Sequence, residues 1–371
     1  MEVVDVAIVG GGPAGASCAA FCAVAGLGTL LLEREKFPRE KVCGDCINPG
    51  CWSVLEKLDL AEQIRNLPHG VLNAVEFIAI GGQKLRVDLP RNENGMISVK
   101  RSLFDHLLLN RARTLGAEIH EEATLVALNR TAAKNWKIDI VRETFAARVV
   151  VGADGRNSTV ARMRNLLPRL ERERVALQAH IPLPRDFGNR IVLQFLPEGY
   201  SGQAPVNGSE LNLCLVGTPP TISSLRNWAE REFDLTAEQA WRTITPLTRA
   251  PVSVARENLL FIGDAARVVE PFTGEGIYYA LRSGELAANA ITKIIRGEDR
   301  SATGRIRRGE QSALRQFVRA HHAMYRGRLW INRLARAAVL SPKTASTFLR
   351  AAQLSPAVLR LLTKRIVGRG D

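Results

Sequence analysis

The first 33 residues constrain this chain more than any other stretch. An apolar run, Val6–Val9, leads into Gly10-x-Gly12-x-x-Gly15, with Pro13 and Ala14 between the last two glycines. A small-residue segment follows to Gly26, and a second apolar run ends on Glu33 and Arg34. Strand, tight turn, helix, strand is the unit that opens a parallel α/β sheet. The glycines let the backbone approach a pyrophosphate, and the helix start offers free N–H groups and a partial positive charge. Glu33 stands 18 residues past Gly15, where a carboxylate accepts hydrogen bonds from a ribose diol. The pattern predicts a dinucleotide site; an ordinary βα turn is the plainer alternative.

The 371 residues suffice for two domains with substantial cores. A hydrophobic content of 46% with 24% charge excludes a disordered chain. No uncharged apolar stretch approaches the ~20 residues of a membrane span, and the N-terminal residues lack the pattern of a signal peptide. Six cysteines, with Cys18 and Cys22 on the first predicted helix, do not resemble a secreted disulfide framework. The expected location is the cytoplasm, peripheral to a membrane if the basic segment binds one.

The net charge of +14 is concentrated at one end. From Arg296 to Asp371, 17 Lys and Arg stand against 4 Asp and Glu. Apolar residues such as Leu329, Trp330, Ile331, Leu334 and Phe348 are interleaved with them. Basic amphipathic helices suit an anionic membrane surface; equally, they cover a protein's own core and leave arginines in solvent. No nucleic-acid motif accompanies the charge, so nucleic acid is not an expected partner.

Strand patterns fall at 71–80, 85–89, 124–128, 136–141, 148–151, 175–181, 191–196, 211–216 and 259–262. Helical patterns fall at 14–25, 101–115, 158–166, 223–233, 237–244 and 277–295, and over most of the C-terminal segment. A βαβ opening, a β-rich middle and a late strand–loop–helix predict an α/β cofactor domain interrupted by insertions, its middle section roofing a substrate pocket.

Two further motifs narrow the cofactor. One strand pattern ends in Gly152-Ala-Asp154-Gly155, and another ends in Gly263-Asp264. The second runs on into Pro271-x-x-Gly274-Glu275-Gly276-Ile277, a glycine-rich loop that opens a helix. The three motifs, in this order over residues 1–295, resemble the flavoprotein superfamily with the p-hydroxybenzoate hydroxylase fold. The Pro271–Ala280 stretch is most similar to its geranylgeranyl reductase branch. The resemblance implies a Rossmann-like FAD-binding domain of that type (residues 1–70, 98–170 and 250–295). Interleaved with it would be a β-sheet substrate domain (71–97 and 171–249), with a basic helical segment after it (296–371). It also implies that Asp264 binds the ribityl chain, that Asp154 and Gly155 lie near the pyrophosphate, and that Arg101 contacts the cofactor. For Asp264 and Asp154, simple helix capping is the alternative. Gly274 and Gly276 would let the backbone lie against a flat ring.

Lys41-Val-Cys43-Gly44-Asp-Cys46 comes between the first two motifs. Members of the resembled branch carry Cys-Gly on a loop that reaches flavin and substrate, which makes Cys43 a catalytic candidate and Gly44 a cofactor contact. An inert packing cysteine, a dithiol pair with Cys46 and a metal site are the other readings. The archaeal lipid reductases of the branch have a Tyr-x-Trp-x-Phe-Pro segment. Here Gly199-Tyr200-Ser-Gly202-Gln-Ala204-Pro205 keeps the tyrosine and proline and replaces the bulky residues. Tyr200 is thus a second candidate proton donor, in a pocket of different shape. The Trp-x-Trp-x-Ile signature of flavin halogenases is not reproduced at Trp136-Lys-Ile. His321 and His322 lack the spacing of a metal site and are expected to be packing or surface residues.

The expected activity is hydride transfer from reduced FAD to a carbon–carbon double bond of a lipophilic, isoprenoid-like substrate, with NAD(P)H or a small electron carrier as transient reductant. The fold hosts a second chemistry, oxygen activation and hydroxylation of an aromatic or polyketide-like ring. A third reading is a flavin-containing membrane-binding module without turnover.

Overall fold

The computed structural model describes residues 2–90, 92–170, 174–270, 274–297 and 306–326, with side chains of 306–310 left aside. Its largest sheet is organised around Val3–Val9, which pairs in parallel with Thr29–Leu32 on one side and Thr144–Gly152 on the other. Leu259–Phe261 extends it in parallel beyond Thr144–Gly152, and Glu118–His120 beyond Thr29–Leu32. Leu125–Arg130 and Trp136–Ile140 form an antiparallel extension. The central strands are apolar because both of their faces are buried, with helices among the elements that cover them.

Two of those helices fix the frame. Pro13–Val24 and Gly276–Arg296 pack closely enough that a Cβ on Gly284 would lie 2.6 Å from the Ala14 carbonyl oxygen. Small residues on both helices allow this approach, and the late glycine-rich loop is thereby held beside the first turn.

The second sheet has seven strands. Val175–Pro182, Glu210–Gly217, Gly199–Pro205 and Arg190–Leu196 form an antiparallel series. Ala74–Ile78 joins in parallel to Arg190–Leu196 and is followed by Lys84–Asp88. A small sheet of Cys46–Ile47, Met96–Ser98 and Gly70–Leu72 links the two larger ones.

Most expected elements are present, with three differences. The expected helix at 237–244 is instead a turn followed by the edge strand Arg242–Ile244. Its β-branched Thr243 and Ile244 pair with Leu177 and Ala176, and the tertiary edge overrides the local helical pattern. The expected strand 71–80 divides at Asn73 into pieces that belong to different sheets. Gly199–Pro205 is a full strand that its glycine-, serine- and proline-rich sequence conceals. Of the basic C-terminal segment, Ile306–Met324 is helical, and residues 327–371 lie outside the described residues. No described helix is long and apolar enough to cross a membrane.

Candidate active site

One elongated cavity of about 970 Å³ runs from the first βα turn to the face of the second sheet. Its outer end is made by Glu33 and Arg34. Glu33 is buried and accepts hydrogen bonds from Gly11 N–H (2.6 Å) and Glu35 N–H (2.9 Å), which fix the carboxylate at the strand end.

The glycine turn comes next. Gly10 has φ of 108°, and a Cβ there would stand 2.5 Å from the Ala153 carbonyl oxygen. A Cβ on Gly15 would overlap the Gly10 carbonyl oxygen. These two glycines close the turn against protein, and Gly15 does not line the cavity. Gly12 does line it, together with Pro13 and Ala14. Around a Cβ placed on Gly12, only the Arg39 guanidinium lies within 4 Å, at 3.7 Å.

Asp154 and Gly155 flank the same space. One oxygen of Asp154 caps the Thr159–Met163 helix by accepting from Thr159 N–H (2.6 Å) and Val160 N–H (3.0 Å). The other oxygen, Oδ1, is buried without a hydrogen-bond partner. Burial pushes the Asp154 carboxyl up, against the pull of Ser158 and those backbone donors. Asp264 enters from the late motif, and its carboxylate accepts from Arg156 at 2.9 Å. Gly263 stands behind it with its N–H on Ser283 Oγ.

Further in, Gly274, Gly276 and Ile277 line the wall where the long helix begins. Glu275, its N-cap residue, is buried behind them, and Pro271 lies outside the described residues. Three features fit an extended diphosphate dinucleotide. The turn opens at Gly12, Asp154 has an unmet acceptor, and nothing stands within 4 Å of a Cβ on Gly274 or Gly276.

Several cations converge beside this slot. Arg101, at the start of the Arg101–Thr114 helix, makes a two-point contact with Asp105 at 2.6 and 2.7 Å, and Arg39 joins the same carboxylate at 3.1 Å. Burial opposes the Arg101 charge, but Asp105 and Cys43 outweigh it. Lys41 is lowered to about 8 by burial and by Arg39, Arg101 and Arg156.

At the inner end the Cys43-Gly44 loop meets the second sheet. The Cys43 sulfur accepts from the Arg101 side chain and from the Asp45 backbone N–H. Burial pushes the thiol up, and these two donors pull against it. The Cys43 carbonyl accepts from Gln178 Nε2 (3.0 Å), Asn212 Nδ2 (2.8 Å) and Cys214 Sγ (3.3 Å). Asp45, fully buried with φ of 58°, accepts from His180 Nε2 (2.9 Å) and Asn212 Nδ2 (2.7 Å). Gln178 and Cys214 are direct cross-strand partners, as are His180 and Asn212. Four neighbouring side chains of the second sheet thus grip two residues of the loop, Cys43 and Asp45.

Beyond the loop the cavity becomes an apolar chamber with walls that include Val75, Phe77, Leu193, Val216 and Leu247. Tyr200, Gly202 and Ala204 share one face of their strand, and all three line it. Tyr200 is buried, and its hydroxyl is pushed well up by burial and by Glu270. His321 lies elsewhere, packed among Phe317 and Tyr325 and lowered to about 4 by burial.

Comparison with known proteins follows the same lines. A family model described as an FAD binding domain matches residues 3–183. The chain is 31% identical over 317 residues to a geranylgeranyl diphosphate reductase of Rhodobacter capsulatus, covering 79% of this chain and 76% of that one. The chain belongs to the geranylgeranyl reductase-like family of FAD-dependent oxidoreductases. It is also 28% identical over 321 residues to a menaquinone reductase of Mycolicibacterium smegmatis, covering 78% and 76% of the two chains. It spans 65% of the length of a longer relative from Dictyostelium discoideum. The solved structure of the flavin-dependent brominase Bmp2 shares the fold, with a TM-score of 0.77 at 19% identity over 98% of this chain and 94% of that one.

Sequence reasoning gave no role to Arg39, Lys41, Asp45 or Arg156, although Lys41 and Asp45 lie inside the Cys43 segment, Arg39 stands two residues before it and Arg156 directly follows Gly155. A cation or acid next to a cofactor motif was the available signal. Gln178, His180 and Asn212 gave none, because only strand pairing brings them to the Cys43 loop.

Proposed function

We propose that this oxidoreductase reduces a carbon–carbon double bond of a lipophilic, isoprenoid-like substrate, with Cys43 as the proton donor. The observation that carries this reading is the place of Cys43, at the junction of a dinucleotide slot and an apolar chamber. Bound FAD, once reduced, supplies the hydride. The chamber walls exclude water and favour an apolar chain by about 25 cal/mol per Å² buried. Burial keeps the proton on Cys43 beforehand, and Arg101 with the Asp45 N–H receives the thiolate that forms afterwards. Stabilisation that grows as charge develops lowers the barrier rather than merely tightening binding. Tyr200, kept protonated by burial, is the second donor.

In this reading Glu33 and Arg34 hold the adenosine end, and Gly10, Gly12, Pro13 and Ala14 admit the pyrophosphate. Asp154, Gly155 and Arg101 flank it, and Asp264 takes the ribityl chain. The N-terminus of the Gly276–Arg296 helix opens on the cavity, and its partial positive charge favours an anionic reduced cofactor. The first sheet and its helices form the cofactor domain, and the second sheet forms the substrate domain. NAD(P)H or a small carrier reduces the enzyme transiently. The basic C-terminal segment contacts an anionic membrane from which the substrate is drawn.

The test is to reduce FAD-loaded protein with dithionite under argon in D2O and add geranylgeranyl diphosphate or a prenylated quinone. A product with one double bond saturated and two deuteriums is expected, one from the solvent-exchanged flavin position and one from the proton donor. No anaerobic product, but an oxygenated ring product in air, would replace this reading with the hydroxylase one.

A further inference from the structure

We propose that His180 and Asp45 form a proton relay that reloads the Cys43 thiol from the protein surface. The inference rests on Cys43 as proton donor and extends it to the residues behind.

A half-buried thiol that gives up its proton at the mouth of an apolar chamber needs another for the next turnover. Its own contacts cannot supply one. Arg101 does not release a proton at physiological pH, Gln178 and Asn212 do not ionise, and Cys214, whose Sγ donates to the Cys43 carbonyl, is itself held protonated by burial. Asp45 is the adjacent titratable group. One of its oxygens is held by His180 and Asn212, while Oδ1 is buried without a hydrogen-bond partner. Burial pushes the carboxyl up, which suits a group that carries a proton in passing. Besides His180, Arg101 and Glu40 act on it electrostatically.

His180 continues the path outward. Strand register sets it diagonally across from Glu210, whose carboxylate is 35% exposed and accepts from Lys100 at 2.6 Å and Asn207 at 2.7 Å. The order from solvent to site is Glu210, His180, Asp45, Cys43. A purely mechanical role does not call for an ionisable pair, because Gln178 and Asn212 already tie down the Cys43 carbonyl. The step moves protons only. Asp45 gives a proton to the Cys43 thiolate and takes one from His180 Nε2 while the other ring nitrogen accepts one from the solvent side, so the ring stays neutral overall and one proton passes from solvent to sulfur.

The test reads proton access without substrate or turnover, so it stands apart from failure of the reductase reading. FAD-loaded protein is transferred to D2O, and conversion of the Cys43 S–H stretch to S–D is followed by infrared spectroscopy, with C43S as the blank. H180Q and D45N keep a hydrogen-bonding group at each position, and asparagine accepts the left-handed backbone of residue 45. We expect exchange to slow by at least about tenfold in both variants, in keeping with the size of general acid–base effects. A mere pin would have the opposite sign, since loosening the loop speeds exchange. Unchanged or faster exchange in a variant that retains its FAD overturns the relay. If H180Q loses FAD through misfolding, D45N alone decides by the same criterion.

Discussion

Arg156 of the second motif holds the carboxylate of Asp264 of the third at 2.9 Å, across the slot that both line. Two turns more than a hundred residues apart are thus joined by one charge pair. Asp264→Ala should yield colourless protein, with FAD affinity weakened by about 2 kcal/mol, the scale of a hydrogen bond to a charged group. Flavin absorbance after gel filtration is the measurement. A yellow variant contradicts the ribityl role.

The glycines of the first turn should separate by the kind of damage they cause. Gly15→Ala forces a methyl into the Gly10 carbonyl and should lower the melting temperature of the protein. Gly12→Val meets open cavity, so it should leave the FAD-free protein stable while abolishing FAD binding. Thermal melts with and without FAD distinguish the two.

Lys41 gives a pH signature. Without the cofactor, burial and three arginines hold it at about 8, and an anionic diphosphate nearby would restore its charge. Binding then takes up a proton above pH 8. FAD affinity should be full below that pH and fall as the pH rises past it, by about 1.4 kcal/mol per unit of restored pKa. In Lys41→Met the affinity should be weaker and flat across this range. Titration of FAD fluorescence from pH 7 to 10 checks it.

Gly202 is open where its strand neighbour is not. A Cβ on Gly199 would overlap the Val216 carbonyl oxygen, whereas one on Gly202 meets only Leu193, at 3.7 Å. Gly202→Phe should therefore fold, retain FAD and lose turnover of a prenylated quinone by about tenfold or more through a filled chamber. Gly199→Ala should instead lower stability.

The basic segment is testable with vesicles. Neutralising Arg305, Arg307 and Arg308 should weaken binding to anionic liposomes by ~1 kcal/mol per charge. Equal sedimentation of variant and wild type would return those arginines to a solvated face.

The parts of the site legible in the sequence are those made by local backbone geometry. Gly10 to Gly15, Asp154-Gly155 and Gly263-Asp264 each sit at the end of an apolar strand, and a continuous apolar run followed by glycine marks such a place directly. Cys43 was legible only through family resemblance, since nothing local says what a cysteine on a loop will face. The grip on its loop was illegible, because Gln178 and Cys214 become neighbours only through strand register. The misread segment at 237–244 has the same origin: an edge strand is decided by its partner, not by its own pattern.

The tight seat of Gly284 against the first helix has a consequence for how such an enzyme can change. It ties the two extremities of the cofactor groove into one stiff beam, so the grip on FAD cannot be retuned piecemeal. The opposing sheet carries no such tether at Gly202. On the proposed reading, new substrates would be accommodated by resizing a few side chains on that sheet while the cofactor side of the molecule stays as it is.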